Sequence, residues 1–337
     1  MSLTKLLERL VQLVPVLLGV SVIVFVMMAL TPGDPVEIMI GDQNVTPEQA
    51  EQMRRDLGLD RPMYEQFFVF LGNAVQFDFG QSFYHRRPVS EVIAERLPAT
   101  IELTLVAMII ALVTAIPLGV LAAVKKNSFL DRIATVGSLL GVSLPGFWFG
   151  ILLLMLFAVH LNILPVAGRI SYGYSADLTR YTGFLLIDTL LNGRLDAFRN
   201  AAAHIILPAI TLGLPMTAIL MRVTRTSMLE VLRQDYVTFA EAKGLSRQRI
   251  IYRHALKNAL IPTVSVAAIE TGSLLGGNMI IETVFGWPGL GRLVVESIFV
   301  RNYPLVQAAV LFYAVVYVML NFFADILYTI LNPRVKL

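Results

Sequence analysis

The stretch at residues 236–262, YVTFAEAKGLSRQRIIYRHALKNALIP, gathers five Lys/Arg side chains and His254 around a single glycine, Gly244. It offers cations for docking but no catalytic group. The rest of the chain is equally poor in reactive constellations. Its four histidines, His85, His160, His204 and His254, form no H-E-x-x-H pair, and nothing has the form of a serine nucleophile elbow. Each reads as an interfacial or packed residue. No Gly-Lys-Ser/Thr occurs, so a phosphate-cradling P-loop is missing. The absence of cysteine excludes disulfides, thiol catalysis and Cys-ligated metals.

Glu270 is the most informative ionisable group inside an apolar stretch, Asp325 lying near the end of another. A carboxylate there is costly and usually faces a bundle interior or water. Gly272, Gly276 and Gly277 follow it, and small residues allow close helix contact. Two readings stand side by side. Glu270, with Gly272 and Ser273, lines a polar path and attracts a cationic group there, or Glu270 is a polar tie to a neighbouring helix.

The elements that must carry these residues are membrane-type. The 337-residue chain is 56% hydrophobic and 15% charged, against about 25% charged in a soluble domain. Six apolar stretches are long enough to cross a bilayer at roughly 20 residues each: Leu10–Leu30, Leu103–Val124, Ile133–Leu161, Ile205–Met221, Ala259–Ile281 and Leu305–Leu331. The first follows Lys5 and Arg9 and ends in TPGDP, which fits a retained anchor rather than a cleaved leader. Residues 222–258 carry eight Lys/Arg against three acids, whereas residues 31–98 carry six against eleven. The positive-inside rule therefore puts the basic stretch and both termini in the cytoplasm.

Four regions follow: an anchor helix at 1–30, an extracytoplasmic helical insertion at 31–95, a membrane domain at 96–331 containing the loop 222–258, and a tail at 332–337. In the insertion, Thr46 is an N-cap and Pro47 a first helical residue. Gly58 stops that helix, and a second starts near Pro62 with Tyr64, Phe67, Phe68 and Leu71 at helical spacing. The insertion reads both as a cap on its own membrane domain and as a docking surface for an outside partner. Residues 162–204 form a second outside segment with a short helix at Leu185–Leu191. After the fifth span, Trp287, Pro288, Gly289 and Gly291 make an extracytoplasmic bend. It is either a plain turn capped by an interfacial tryptophan or a folded-back segment beside the path. Prolines 15, 117, 145, 208, 215 and 262 fall inside apolar stretches, where they permit kinks.

In the basic stretch, Met228–Ala242 reads as one helix with Val231, Leu232, Tyr236, Phe239 and Ala240 at three- and four-residue spacing. Gly244 supplies a left-handed C′ position. Ser246 N-caps a second helix that carries Ile250, Ile251, Ala255 and Leu256 into the next span. Two short helices joined by a sharp turn suit insertion into another protein's groove.

This stretch resembles the EAA loop of binding-protein-dependent ABC importer permeases, in which Glu-Ala-Ala is followed three residues later by Gly. Here Ala240 and Gly244 fit, Thr238 and Phe239 depart, and Lys257 stands where the family has Pro after the apolar residue matched by Leu256. AKGL and HALKNALIP are similar to the peptide/nickel branch. TPGDP (31–35), ERLPATIELTL (95–105), SLPGFWFGILLLMLF (143–157), LPVAGR (164–169), MRVTRTSMLEVL (221–232), FGWPGLGR (285–292), NYPLVQ (302–307) and NPR (332–334) extend the likeness along the chain. TGFLLIDTLLNG and ILPAITLG look most like the first permease subunit of dipeptide transporters.

The resemblance implies an all-α integral membrane protein with six transmembrane helices of the type I importer fold and a helical insertion between helices 1 and 2. It implies a second homologous permease, two ATPase subunits and an outside solute-binding protein as partners. ATP and Mg would be bound by the ATPases, and no cofactor, metal or catalytic residue by this chain. Asp235, Tyr236, Ala240, Ala242, Lys243, Gly244 and Leu245 would form the coupling site. The substrate would be a dipeptide, with oligopeptides, glutathione or nickel as alternatives. Relatives commonly have Gln at the place of Glu270. From another class, a stand-alone secondary transporter or channel competes, although no repeated halves are visible; a membrane scaffold would show no uptake phenotype.

Overall fold

The computed structural model describes residues 3–30, 36, 40, 46–56 and 58–331, and among these every regular element is a helix. TPGDP at 31–35 and the tail at 332–337, which includes NPR, lie outside the described residues. The chain opens with α1 (Leu3–Leu30). In α2 (Pro47–Asp56) the Gln49 N–H donates to Thr46 Oγ1 at 3.4 Å and the Thr46 N–H to Gln49 Oε1 at 3.0 Å, a reciprocal capping box. Gly58, at φ +66°, follows that helix. Next come α3 (Met63–Val75) behind Pro62, and α4 (Val89–Val124). After these stand α5 (Phe129–Ser143) and α6 (Gly146–Leu153), the latter continuing as a π-helix to His160. The expected short helix is α7 (Leu185–Leu191). The second half comprises α8 (Leu195–Val231), α9 (Asp235–Ala242), α10 (Leu256–Gly277), α11 (Met279–Val284), α12 (Leu290–Phe299) and α13 (Tyr303–Leu331).

Five helical stretches among the described residues are long and apolar enough to cross a membrane: Val11–Leu30, Val89–Val124, Leu195–Val231, Arg247–Gly276 and Tyr303–Ile326. The pair α5 and α6 with its π-helical continuation makes a sixth if it counts as one span, but it is bent by 105°. A single helix over Ile133–Leu161 is therefore not what forms. Pro145 disfavours helical backbone at the residue before it, and Leu144 is extended at ψ 130°. The break is complete, not a kink.

Two shared clusters give the helices their direction. Ala99 and Leu103 of α4 pack with Ile205 and Leu207 of α8. At the other end Val120 and Ala123 pack with Met228 and Val231. The two helices therefore run parallel. Helix α10 returns antiparallel, with Ala259 in the second cluster and Leu274 against the first. Small residues let these backbones meet. A Cβ on Gly213 would lie 3.0 Å from the Ala107 carbonyl oxygen, and one on Gly119 2.7 Å from Thr224 Cβ. The Thr224 and Thr263 hydroxyls, 3.0 Å apart, tie α8 to α10 in the same layer.

The bundle thus has two unlike ends. At one, Val89 and Val92 pack with Leu290, Leu293 and Val294 of α12 and Leu305 and Ala308 of α13. At the other, α4 and α8 end and the basic stretch begins. There Asp131, near the start of α5, receives Arg225 of α8 in a two-pronged pair at 2.6 and 2.9 Å.

Candidate functional site

The basic stretch is a two-helix knuckle. One helix over Met228–Ala242 was the expectation, but α8 stops at Val231 and α9 begins at Asp235, because Gln234 is extended at ψ 148°. Behind α9, the Gly244 N–H donates to the Glu241 carbonyl at 2.9 Å and the Leu245 N–H to the Ala240 carbonyl at 3.3 Å. With Gly244 at φ +74° this is a Schellman closure. Ser246 occupies the N-cap place of the next turn, Arg247–Arg249, but its side chain makes no capping bond. A π-helical stretch, Ile250–Ala255, then leads into α10.

The knuckle has its own small core of Val237, Ala240 and Ile250, with Leu232 and Leu245 against it. Leu232 also packs on the cluster at the feet of α4 and α8. Of the residues expected in the coupling site, Ala240 is buried in this core and Leu245 half-buried, whereas Asp235, Ala242, Lys243 and Gly244 are exposed. Tyr236 lies at the base, where its hydroxyl accepts from the Asn258 amide at 2.9 Å. The tip carries a side chain the sequence reading left out of the coupling set. Phe239 is 61% exposed, and Lys243 Nζ stands 4.4 Å from its ring centroid. The four-residue spacing of Phe239 and Lys243 on one helix is the signal that could have paired them.

The three path candidates on α10 point differently. A Cβ on Gly272 would lie 3.6 Å from Tyr317 and Leu320 of α13, so this residue marks a helix contact. Ser273 is exposed and Glu270 half-buried. Among the described residues nothing hydrogen-bonds or ion-pairs with Glu270. Among the described residues it thus makes no polar tie to another helix. Pro262, Ile269 and Ser273 make one open face along α10, with Glu270 at its edge.

The bend at the other end is a buried construction. An interfacial Trp287 was one expectation; instead its side chain is 1% exposed and packs in the α4–α8 cluster. The indole N–H donates to the Ala99 carbonyl at 2.9 Å, and the Arg169 guanidinium sits 5.6 Å from the ring centroid. The chain folds back here through α11 and α12. Glu282, fully buried, accepts from the Thr100 hydroxyl at 2.7 Å and the Arg292 N–H at 2.9 Å. Burial pushes its carboxyl above the ordinary range, and the hydrogen bonds from Thr100, Arg292 and Gly291 offset this only in part. The same Thr100 hydroxyl accepts the Leu290 N–H at 2.8 Å, so carboxylate and hydroxyl together cap the start of α12. Gly289 leaves room for the carboxylate, which any Cβ there would strike. Pro288 precedes it in the turn.

A second buried acid, Glu102 of α4, holds the segment between α6 and α8. It takes Arg169 Nη2 at 2.5 Å and the Leu186 N–H at 2.7 Å. Within that segment Asp188 accepts from the Thr182 N–H and hydroxyl, both at 2.8 Å, and the Gly183 N–H at 3.0 Å. Burial alone would raise the Asp188 carboxyl; these donors outweigh it and hold the group below its ordinary value. The sequence reading singled out none of Glu102, Asp131 or Glu282.

Comparison with known proteins adds the following. The family model described as "Binding-protein-dependent transport system inner membrane component" matches residues 115–337, and its N-terminal companion matches residues 2–104. The chain is 44% identical over 331 residues to the dipeptide transport system permease protein DppB of Escherichia coli K12, covering 98% of each. It is 44% identical over 329 residues to the di/tripeptide transport system permease protein DppB of Pseudomonas aeruginosa, covering 98% of this chain and 97% of that one. It is 37% identical to the glutathione transport system permease protein GsiC of Escherichia coli K12, again over 98% of this chain and 97% of the relative. Among solved structures, an inward-facing form of the MetNI methionine ABC transporter aligns with TM-score 0.51 at 17% identity, over 72% of this chain and 96% of that one. That likeness concerns the fold.

Proposed function

The chain belongs to the binding-protein-dependent transport system inner membrane component family, and from that membership we propose that it is the permease subunit of an ATP-driven importer of dipeptides. The observation that carries the reading is the knuckle. It is a closed two-helix projection with its own core, joined through Leu232 to the feet of the spans. A rigid plug of this kind transmits motion; a solvated loop would not.

In this reading the bent pair α5–α6 is the third of six spans, residues 31–95 are an extracytoplasmic insertion, and the knuckle end with both termini is cytoplasmic. A second homologous permease pairs with this chain. Two ATPase subunits bind ATP and Mg, and each seats one knuckle. Here Asp235, Ala242, Lys243 and Phe239 offer the contact surface, while Ala240, Gly244 and Leu245 set its shape. An outside binding protein delivers the solute. The open face of α10 with Glu270 and Ser273 borders the path, where an unpartnered carboxylate suits a peptide's amino end. The relatives named for dipeptides at 44% identity rank that substrate ahead of glutathione at 37%.

The test is ATP-driven uptake of labelled dipeptides, longer peptides, glutathione and nickel by the assembled complex in liposomes, with crosslinking from Lys243→Cys. Dipeptide uptake together with a crosslink to an ATPase supports the proposal. Uptake by the chain alone, or a knuckle that never reaches an ATPase, overturns it. Glu270→Gln is compared across differently charged dipeptides, and an unchanged preference removes Glu270 from the path.

A further inference from the structure

Helix α3 has three faces with three different surroundings. Phe67 and Phe70 turn toward α1, their ring centroids 5.4 and 6.0 Å from that of Phe25. Gln66 and Asn73 face a cavity of about 420 Å³ between α1, α3 and the start of α13. The Gln66 amide also closes the preceding turn by donating to the Arg61 carbonyl at 2.8 Å. The third face carries Tyr64, Phe68, Leu71 and Val75 at spacings of four, three and four, with no charge among them. Phe68 is 66% and Val75 74% exposed, and Tyr64 is equally open.

We propose that this third face is buried in lipid: α3 lies in the acyl–headgroup boundary of the membrane, on the side opposite the knuckle, and clamps the 46–88 region to the bilayer. The anchoring contact fixes the depth. Phe25 belongs to the apolar stretch Val11–Leu30 and stands five residues before its end, so α3 meets α1 about 8 Å of helix rise inside the stretch. A helix held there by two phenylalanines cannot stand clear of the boundary region.

The place around the bundle points the same way. Beside Phe25, the α1 residues Ile23, Met27 and Leu30 are open, so α1 is a rim helix and what packs on its outer end lies at the rim too. A tyrosine at the start of an uncharged apolar stripe fits this layer, where the hydroxyl meets headgroups and the rings meet acyl chains. Exposed to water instead, the stripe would be a contiguous apolar patch.

The chain has no cysteine, which permits a direct test. Nitroxide labels are placed at Phe68→Cys, Val75→Cys and, around the helix, Glu65→Cys, in the full complex reconstituted in liposomes. Collision rates with oxygen, which partitions into lipid, are compared with those of a water-soluble nickel chelate, with and without the binding protein. Seating in lipid requires oxygen to exceed the chelate by about threefold or more at 68 and 75, with the order reversed at 65. Chelate access at 68 and 75 overturns the proposal. So does low access to both reagents, which would mean a protein partner covers the stripe, whether constantly or on adding the binding protein. Tyr64→Cys is the second reporter on the stripe should Phe68→Cys fail to assemble.

Discussion

Thr100 and Glu282 are separated by 182 residues of chain and joined by a 2.7 Å hydrogen bond in a fully buried site. The hydroxyl also takes the Leu290 N–H, so one side chain of α4 fixes both the acid before the bend and the first turn of the helix after it.

Thr100→Val keeps the shape and removes the hydroxyl, leaving the Leu290 N–H without its acceptor. The expected cost is about 1–3 kcal/mol, read as a lower melting temperature of the purified complex. Thr100→Ser should restore most of it. A valine variant that melts like the parent would show that the bond contributes nothing net.

Close packing between α4 and α8 should be intolerant of added volume. Gly119→Ala puts a methyl 2.7 Å from Thr224 Cβ and 2.8 Å from the Met221 carbonyl oxygen, so a backbone must shift at a cost of about 1–3 kcal/mol. Gly119→Leu should abolish assembly. Gly137→Ala, where nothing lies within 4 Å of the new atom, is the control and should assemble at parental yield in a pull-down of the complex.

At Gly244 a side chain meets no atom within 4 Å, but φ is +74°. The penalty is therefore conformational, about 1–2 kcal/mol for a non-glycine residue, and least for asparagine. Gly244→Val should reduce ATP-driven uptake severalfold with the chain level unchanged, and Gly244→Asn should fall between. Parental uptake by the valine variant would detach the knuckle from coupling.

The Asp188 carboxyl lies below its ordinary value of 3.8 in the folded chain. Its contribution to the 179–192 turn is therefore complete above about pH 4 and is lost as pH falls through the lowered value. Limited proteolysis of this turn with an acid-active protease should show resistance at pH 5 and cleavage that increases as pH falls well below 4. Asp188→Asn, which swaps one accepting oxygen for a donor facing N–H groups, should open the turn at every pH.

Local signals were readable in the sequence. The long apolar helices, the N-cap at Thr46, the short helix at Leu185–Leu191 and the left-handed Gly244 each rest on neighbours within a few residues. What escaped reading depends on distance along the chain. Asp131 finds Arg225 94 residues away, and Glu102 finds Arg169 67 away. Nothing near those acids marks them as buried. Trp287 failed for another reason, since one amphipathic ring suits a membrane boundary and a core with a carbonyl equally well. At Pro145 the composition allows a kink or a break, and only the packing of the two halves decides.

A π-helical turn is an α-helix carrying a surplus residue. The one at Ile250–Ala255 joins the knuckle to α10, and each residue of an α-helix advances the winding around its axis by about 100°. The azimuth of the knuckle relative to α10 is thus set by a stretch that grips both sides, with Ile250 in the knuckle's core and Ile251 and Ala255 in the cluster at the feet of α4 and α8. Deleting Tyr252 would restore an even winding and swing the tip around the stem without removing one of its surface groups. Aim, in this chain, is stored as a single extra residue in the stem.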